Sequence, residues 1–197
     1  FGINVPMIYT TAYACYGMKI ALAPEVPNNH ASLEPFTVSA PASSILNAQH
    51  PAPVAVRHVL GHFVPDTVLG ALSKMQPDLV PAEASGPLWA IHLSIRSKGN
   101  NKGGKSSEIL MFNSGGSGAR PSSDGMNTTA FPSGVHSVSI EAAEQAGAII
   151  IRRREFREGS GGDGEFRGGL GQIIEIEAGA GHEMYFNAMF DRVQNPP

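Results

Sequence analysis

The chain has 197 residues, 42% of them hydrophobic, and a net charge of −3 from 14 Lys+Arg against 17 Asp+Glu. That length fills one ordinary domain or two small ones, and the charge balance excludes a basic footprint for nucleic acid or an anionic membrane. The 23 glycines and 15 prolines exceed the usual ~12% share but stay below the ~25–30% of disordered chains, so the composition reads as globular and loop-rich.

Pro6 suits the first turn of a helix, and residues 7–22 carry a dense apolar set ended by Pro24. The set runs nearly all round the helix, which predicts burial on more than one side. Cys15 lies in this segment and is the one cysteine of the chain. It excludes an internal disulfide framework and reads as a small buried hydrophobe. Leu33–Ala40 alternates well enough for a strand. Ala52–Met75 has helical periodicity, with Pro65 either kinking the helix or starting a second one at Asp66. Residues 1–80 hold seven charged side chains, too few for a well-solvated surface. That predicts a front packed against other protein.

The second half alternates strand-like segments with glycine turns. Candidate strands are Leu88–Ser97, Ser107–Asn113, Ile149–Phe156, Gln172–Glu177 and Glu183–Ala188, with a short helix at Ser139–Gln145. There is no βαβ alternation, so the fold class is α+β. The expected organisation is a helical, charge-poor part over 1–85, followed by a mainly antiparallel β part with Gly-rich loops over 86–197. No apolar run reaches the ~18 residues of a membrane span, and no signal peptide is visible. The expected location is cytoplasmic.

Four groups of residues bear on chemistry. Gly99–Ser106 matches the phosphate-loop pattern letter for letter, through Gly99, Gly104, Lys105 and Ser106. A phosphate loop must open onto a helix whose free N–H groups hold the phosphates. Here the following segment reads as a strand, so the match is rejected in favour of a hairpin loop. His58, His62 and Asp66 are spaced i, i+4, i+8 and fall within ~80° of one helix face. They could share a metal, orient a substrate by imidazole hydrogen bonds, or serve as interior residues with Asp66 capping a second helix. Arg152, Arg153 and Arg154 alternate faces of a strand and form no single patch.

The fourth group is the pair of glycine runs. One contains Gly115, Gly116 and Gly118, followed by Arg120 and Asp124; the other contains Arg167, Gly168, Gly169 and Gly171. Glycines there permit tight turns and close backbone approach, and each arginine could pin its loop by hydrogen bonds to carbonyls or carboxylates. The first run is the better candidate to line a site.

The motifs together resemble the hydantoinase B/5-oxoprolinase family, the N-methylhydantoinase B group. The resemblance rests on Ile3–Pro6, Arg57–Asp66, Pro81–Glu83, Gly115–Pro121 with Asp124-Gly125, Ala130–Val135, Arg153–Glu155, Phe166–Gln172 and Phe190–Arg192. It implies the C-terminal part of a longer B-type polypeptide that opens a cyclic amide (hydantoin, 5-oxoproline or a lactam) in an ATP-dependent complex. ATP and Mg would belong to a hydantoinase A-type partner. A divalent metal would be held by the N-terminal half of the B-type polypeptide, with none bound in this stretch, and the isolated stretch would be inactive. Candidate catalytic residues are His58, His62 and Asp66, and candidate substrate-binding residues are Arg57, Arg120 and Asp124. The alternatives are a non-catalytic docking module of such a complex or part of a related ATP-dependent carboxylase. No nucleic-acid or membrane partner is implied.

Overall fold

The computed structural model describes residues 2–86, 88–99, 106–130 and 134–195. Helix α1 spans Met7–Leu22 and α2 spans Arg57–Leu72, followed by a single 3-10 turn at Pro77–Leu79. Strands β1 (Trp89–Ser97) and β2 (Ser107–Asn113) come next, then helix α3 (Ile140–Ala146). Strands β3 (Ile149–Phe156), β4 (Gln172–Ala178) and β5 (His182–Met189) complete the order. The fold is α+β, and every strand pair is antiparallel.

One sheet has the order β2-β1-β5, and the second pairs β3 with β4. Ile91, Leu93 and Ile95 of β1, with Ile109 and Met111 of β2, form the buried face of the first sheet. They pack against Ile149 and Ile151 of β3 and Ala143 of α3. The alternation of apolar and polar residues along β1 and β2 therefore reports one covered face, as expected of a half-buried strand. Ser139 caps α3 through its side chain, which accepts from the N–H of Ala142.

Three sequence expectations need correction. Leu33–Ala40 forms turns and irregular backbone, not a strand; its short alternation has no neighbouring strand to pair with, and a lone strand leaves its backbone groups unpaired. The second helix starts at Arg57 rather than Ala52. It also runs unbroken through Pro65, so no second helix begins at Asp66. The reason lies on α1. Gly17 faces Pro65 so closely that a Cβ there would come within 3.1 Å of the proline Cα. Pro65 is thus fully buried in a helix contact, and that packing offsets the roughly 3 kcal/mol a helix-interior proline costs. One turn earlier, Gly61 admits the ring of Tyr13, with a Cβ at Gly61 falling 2.5 Å from the ring.

The three arginines do not alternate simply either. A bulge shifts the β3–β4 register between Ile151 and Arg153. Arg152 pairs with Glu177 at 2.6 Å, and Arg153 pairs with Glu175 at 3.3 Å and with Glu155. At the bulge, the N–H of Ile151 turns to the Glu144 carboxylate of α3 at 2.8 Å. These exposed pairs are worth little to stability individually.

Helix α1 buries Thr10, Ala14, Cys15, Gly17, Lys19 and Ala21, while Ile8 stays 74% exposed. Apart from Lys19 its buried residues are small, and several of its large apolar side chains point partly outward. This differs from burial on all sides and has the same cause, because close approach to α2 excludes bulk.

The α1–α2 contact predicts opposite effects for two glycines of one helix. Gly61→Ala should destabilise by about 1–3 kcal/mol, because the methyl meets the Tyr13 ring. Gly70→Ala has open space around it and should stabilise by up to ~1 kcal/mol through helix propensity. Thermal unfolding of the two variants checks this; equal shifts in Tm would contradict the packing described.

Candidate functional site

Helix α2 presents three titratable side chains, each to a different environment. His58, in the first turn, meets the ring of Phe112 on β2 edge-on at 6.3 Å and the ring of His62 at 6.1 Å. His62, one turn on, is only 4% exposed and lies against Tyr13 of α1 at 5.9 Å. Asp66, another turn on, has its Oδ2 shielded from solvent with no hydrogen-bond partner among the described residues. It abuts Gly86, where a Cβ would fall 3.2 Å from both Asp66 Oδ2 and Arg192 Cδ. Arg192 donates from Nη1 to the Ala84 carbonyl at 3.0 Å and from Nη2 to the Glu83 carboxylate. It therefore lies beside Asp66 while bonded elsewhere.

The electrostatics follow from these surroundings. Burial pushes the Asp66 carboxyl up to about 6, with Arg192 opposing and Glu83 adding to the rise. Burial, and then the neighbouring His58, hold the His62 imidazole down at about 4. The His58 imidazole is lowered by burial first and Arg57 second, while Asp191 pulls it back up. The Asp191 carboxyl is in turn raised by burial against the pull of His58. A buried acid near 6 and a buried neutral imidazole suit this face of α2 to proton transfer, since shifted groups concentrate at functional sites.

Asp66 also lines a cleft of about 560 Å³. Its walls are the second half of α2, the Val80–Glu83 segment and loop residues Arg120 and Phe166. The structure thus brings Asp66 and Arg120 to one cleft and stacks His58 beside His62. Arg57 points elsewhere, its guanidinium 4.6 Å above the Tyr9 ring and its Nη1 donating to the Val54 carbonyl at 3.3 Å.

Asp124 ties two loops together rather than facing the cleft. Its carboxylate accepts from the Arg167 N–H at 2.7 Å, and its carbonyl accepts from Arg120 Nε and Nη2 at 3.1 and 2.9 Å. The two glycine runs lie against each other here. The Gly169 N–H donates to the Ser117 carbonyl at 2.8 Å, and the Gly125 N–H to the Arg167 carbonyl at 2.7 Å. A Cβ at Gly116 would overlap the Gly169 carbonyl, and one at Gly118 would overlap that of Ala82. Gly115 and Gly168 are similarly confined, by Ser85 and Gly162, whereas Gly171 has ordinary room. Backbone contact requires glycine at 116 and 118 and crowds 168, whereas Gly115 is confined by the Ser85 side chain.

Of the phosphate-loop look-alike, residues 100–105, including Gly104 and Lys105, lie outside the described residues. The segment joins β1 to β2, which pair antiparallel, and β2 begins at Ser107, one residue after Ser106. Among the described residues no three His, Cys, Asp or Glu side chains converge closely enough to hold a metal ion. No described helix is long and apolar enough to cross a membrane.

Sequence reasoning gave no role to Asn113, Asp191 or Arg192. Both polar side-chain atoms of Asn113 and the Oδ2 of Asp191 are buried without partners among the described residues. Such groups call for an explanation, because buried polar atoms are nearly always paired. The available signal was the Asp191-Arg192 charge pair directly after an aromatic strand.

Comparison with known proteins adds a chemical context. The family profile described as hydantoinase B/oxoprolinase matches residues 1–197. The B-type polypeptide of a D-/L-hydantoinase, so named provisionally in Pseudomonas sp. (strain NS671), is 29% identical over 88% of this chain and 30% of its own length. The beta chain of the caprolactamase of Pseudomonas jessenii is 31% identical over 70% of this chain and 24% of its own. The 5-oxoprolinase of Dictyostelium discoideum is 27% identical over 88% of this chain and 13% of its own. The chain therefore spans less than a third of the length of these relatives.

The two shifted groups predict opposite pH dependences. Asp66, raised to about 6, costs stability that is absent below the unfolded value of ~3.9 and fully present above about 6. Asp66→Asn should raise Tm at pH 7.5, with the gain shrinking as pH falls toward 4. His62, held at about 4, contributes stability present above ~6.5 and lost as pH falls toward 4. His62→Gln should flatten that acid-side loss. Thermal unfolding across pH 4–8 checks both, and a pH-independent Asp66→Asn effect would refute the buried-acid assignment.

Proposed function

The chain belongs to the hydantoinase B/oxoprolinase family, and we propose that it forms part of the hydrolytic half of an ATP-dependent cyclic-amide hydrolase. The carrying observation is Asp66, a carboxyl pushed up to about 6 at the wall of a small-molecule-sized cleft. Relatives of the chain are named for hydantoin, 5-oxoproline and caprolactam, and all three are cyclic amides.

Hydrolytic ring opening needs two proton movements. One group takes a proton from the attacking water, and one gives a proton to the ring nitrogen as the C–N bond breaks. A carboxyl titrating near neutrality is suited to either movement. Asp66 is that group, and Arg120 and Phe166 wall the cleft beside it. The Asp124 bonds hold the Arg120 loop in register with the second glycine run.

In this reading ATP and its Mg ion are handled by an A-type partner. Phosphorylation of the amide oxygen there would make the carbonyl carbon a better electrophile. In the same reading a divalent ion would be held by other parts of a longer B-type polypeptide. A second reading is favoured by the low-charge helical layer, where Ile8 is 74% and Met75 is 77% exposed. Exposed apolar side chains of this kind suit a docking surface, and the stretch would then serve assembly alone.

The assembled complex separates the two readings. Asp66→Asn should lower kcat for ring opening by about 100-fold or more while the complex elutes intact. Unchanged turnover, or loss of assembly, would favour the docking module. Lys105→Ala should leave ATP consumption unchanged; loss of it would restore the phosphate-loop reading.

A further inference from the structure

We propose that the cleft beside Asp66 sorts its substrates by charge, taking cyclic amides without a carboxylate and turning away those that carry one. The inference rests on the hydrolytic reading above and names the substrate class of the same site.

The walls of the cleft each contribute a charged group. Asp66 comes from α2, Asp78 from the 3-10 turn, Glu83 from the segment before β1, and Glu165 from the loop leading into the second glycine run. The loop after the first glycine run supplies Arg120, the one basic side chain among the described lining residues. Four carboxylates from four separate segments therefore surround one guanidinium. In a chain whose net charge is only −3, that concentration of acid is local to the cleft.

The arginines at hand do not cancel the excess. Arg192 pairs with Glu83 and bonds to the Ala84 carbonyl. Arg120 turns one edge of its guanidinium, Nε and Nη2, onto the Asp124 carbonyl. A carboxylate is gripped best by two parallel N–H groups on one edge of a guanidinium, and this edge is already occupied. With Glu83 paired and Arg120 set against one acid, two carboxylates stay unbalanced.

The rest of the lining suits an uncharged ring. Pro81, Pro121 and Phe166 give it apolar surface to lie on. A ring that carries a carboxylate adds a like charge, and a cleft lined by one sign of charge focuses that repulsion. Discrimination between near-identical rings then comes from repulsion of the wrong one, not from extra contacts with the right one. Of the relatives, one is named for 5-oxoproline, whose ring carries a carboxylate, and one for caprolactam, whose ring does not. The charge of the cleft sides this chain with the second kind.

The test is a matched pair: 5-oxoproline and 5-oxoprolinamide, the same ring with a carboxamide in place of the carboxylate. In the assembled complex, kcat/KM for ring opening of the amide should exceed that of the acid by about tenfold or more. The gap should shrink as added salt screens the charges. It should also shrink in the double variant Asp78→Asn/Glu165→Gln, through a lower KM for the acid. Both side chains are exposed, so the variant keeps the fold. Equal rates, a preference for the acid, or a gap indifferent to salt or to the double variant would overturn the charge sorting and leave the hydrolytic reading standing. A complex that opens neither ring would overturn the hydrolytic reading, and binding to this chain then decides the proposal. Followed by NMR shifts of this chain, the amide should bind tighter than the acid; equal, reversed or absent binding would overturn the sorting as well.

Discussion

Tyr13 and Gly17 on α1 meet Gly61 and Pro65 on α2, each pair spaced by one turn. The candidate site depends on that contact. The glycines remove side-chain bulk where the helices touch, so the Tyr13 ring enters at Gly61 and lies against His62. That insertion buries His62 and fixes the rotation of α2. With the rotation fixed, His58 turns to Phe112 of the sheet, and Asp66 turns to Gly86 and the cleft. Pro65 survives inside the helix because its ring fills the contact, so a residue that would break an isolated helix here specifies the approach.

The far side of the cleft is held by backbone, not by side-chain packing. The glycine runs stack so that Gly116 touches the Gly169 carbonyl and Gly118 touches that of Ala82. Their peptide groups are then satisfied by one another and by a few short side chains. Ser117 accepts from Met126 N–H, Asn127 accepts from Leu170 N–H, and Asp124 accepts from Arg167 N–H. These bonds supply part of the hydrogen-bond pairing that buried loops require. It also puts Arg120 at the cleft, because its guanidinium is clamped on the Asp124 carbonyl.

β1 and β2 were legible because they alternate over seven or more residues, and β3 because a run of isoleucines follows a glycine stop. β2 and β3 fall on the expected spans Ser107–Asn113 and Ile149–Phe156. Leu33–Ala40 alternates as well, yet periodicity carries no information about whether a partner strand exists. The continuity of the helix through Pro65 was left open for a related reason. Local propensity opposes it, and the residue that rescues it, Gly17, lies 48 positions earlier in the sequence. The i, i+4, i+8 spacing placed His58, His62 and Asp66 on one helix correctly. It could not show that their surroundings differ, since those come from α1, β2 and the end of β5. Asp124 looked like a ligand for a substrate because an acid beside glycines is common in sites; its partner, a backbone N–H 43 residues on, is invisible to pattern reading.

One dipeptide acts on two groups of α2. The Asp191 charge raises the His58 imidazole and the Arg192 charge lowers the Asp66 carboxyl, on residues eight apart and so about 12 Å apart along the helix. The separation has a chemical consequence. At that distance Asp66 and His58 form no ion pair with each other, so each keeps its own shift. With His62 neutral between them, Asp66 and His58 each answer to a separate partner of opposite charge. Environments that push the affinities of two groups independently allow acid and base roles to coexist on one helix face. The cost is two buried carboxylate oxygens without donors, and a fold selected for stability alone would have paired them.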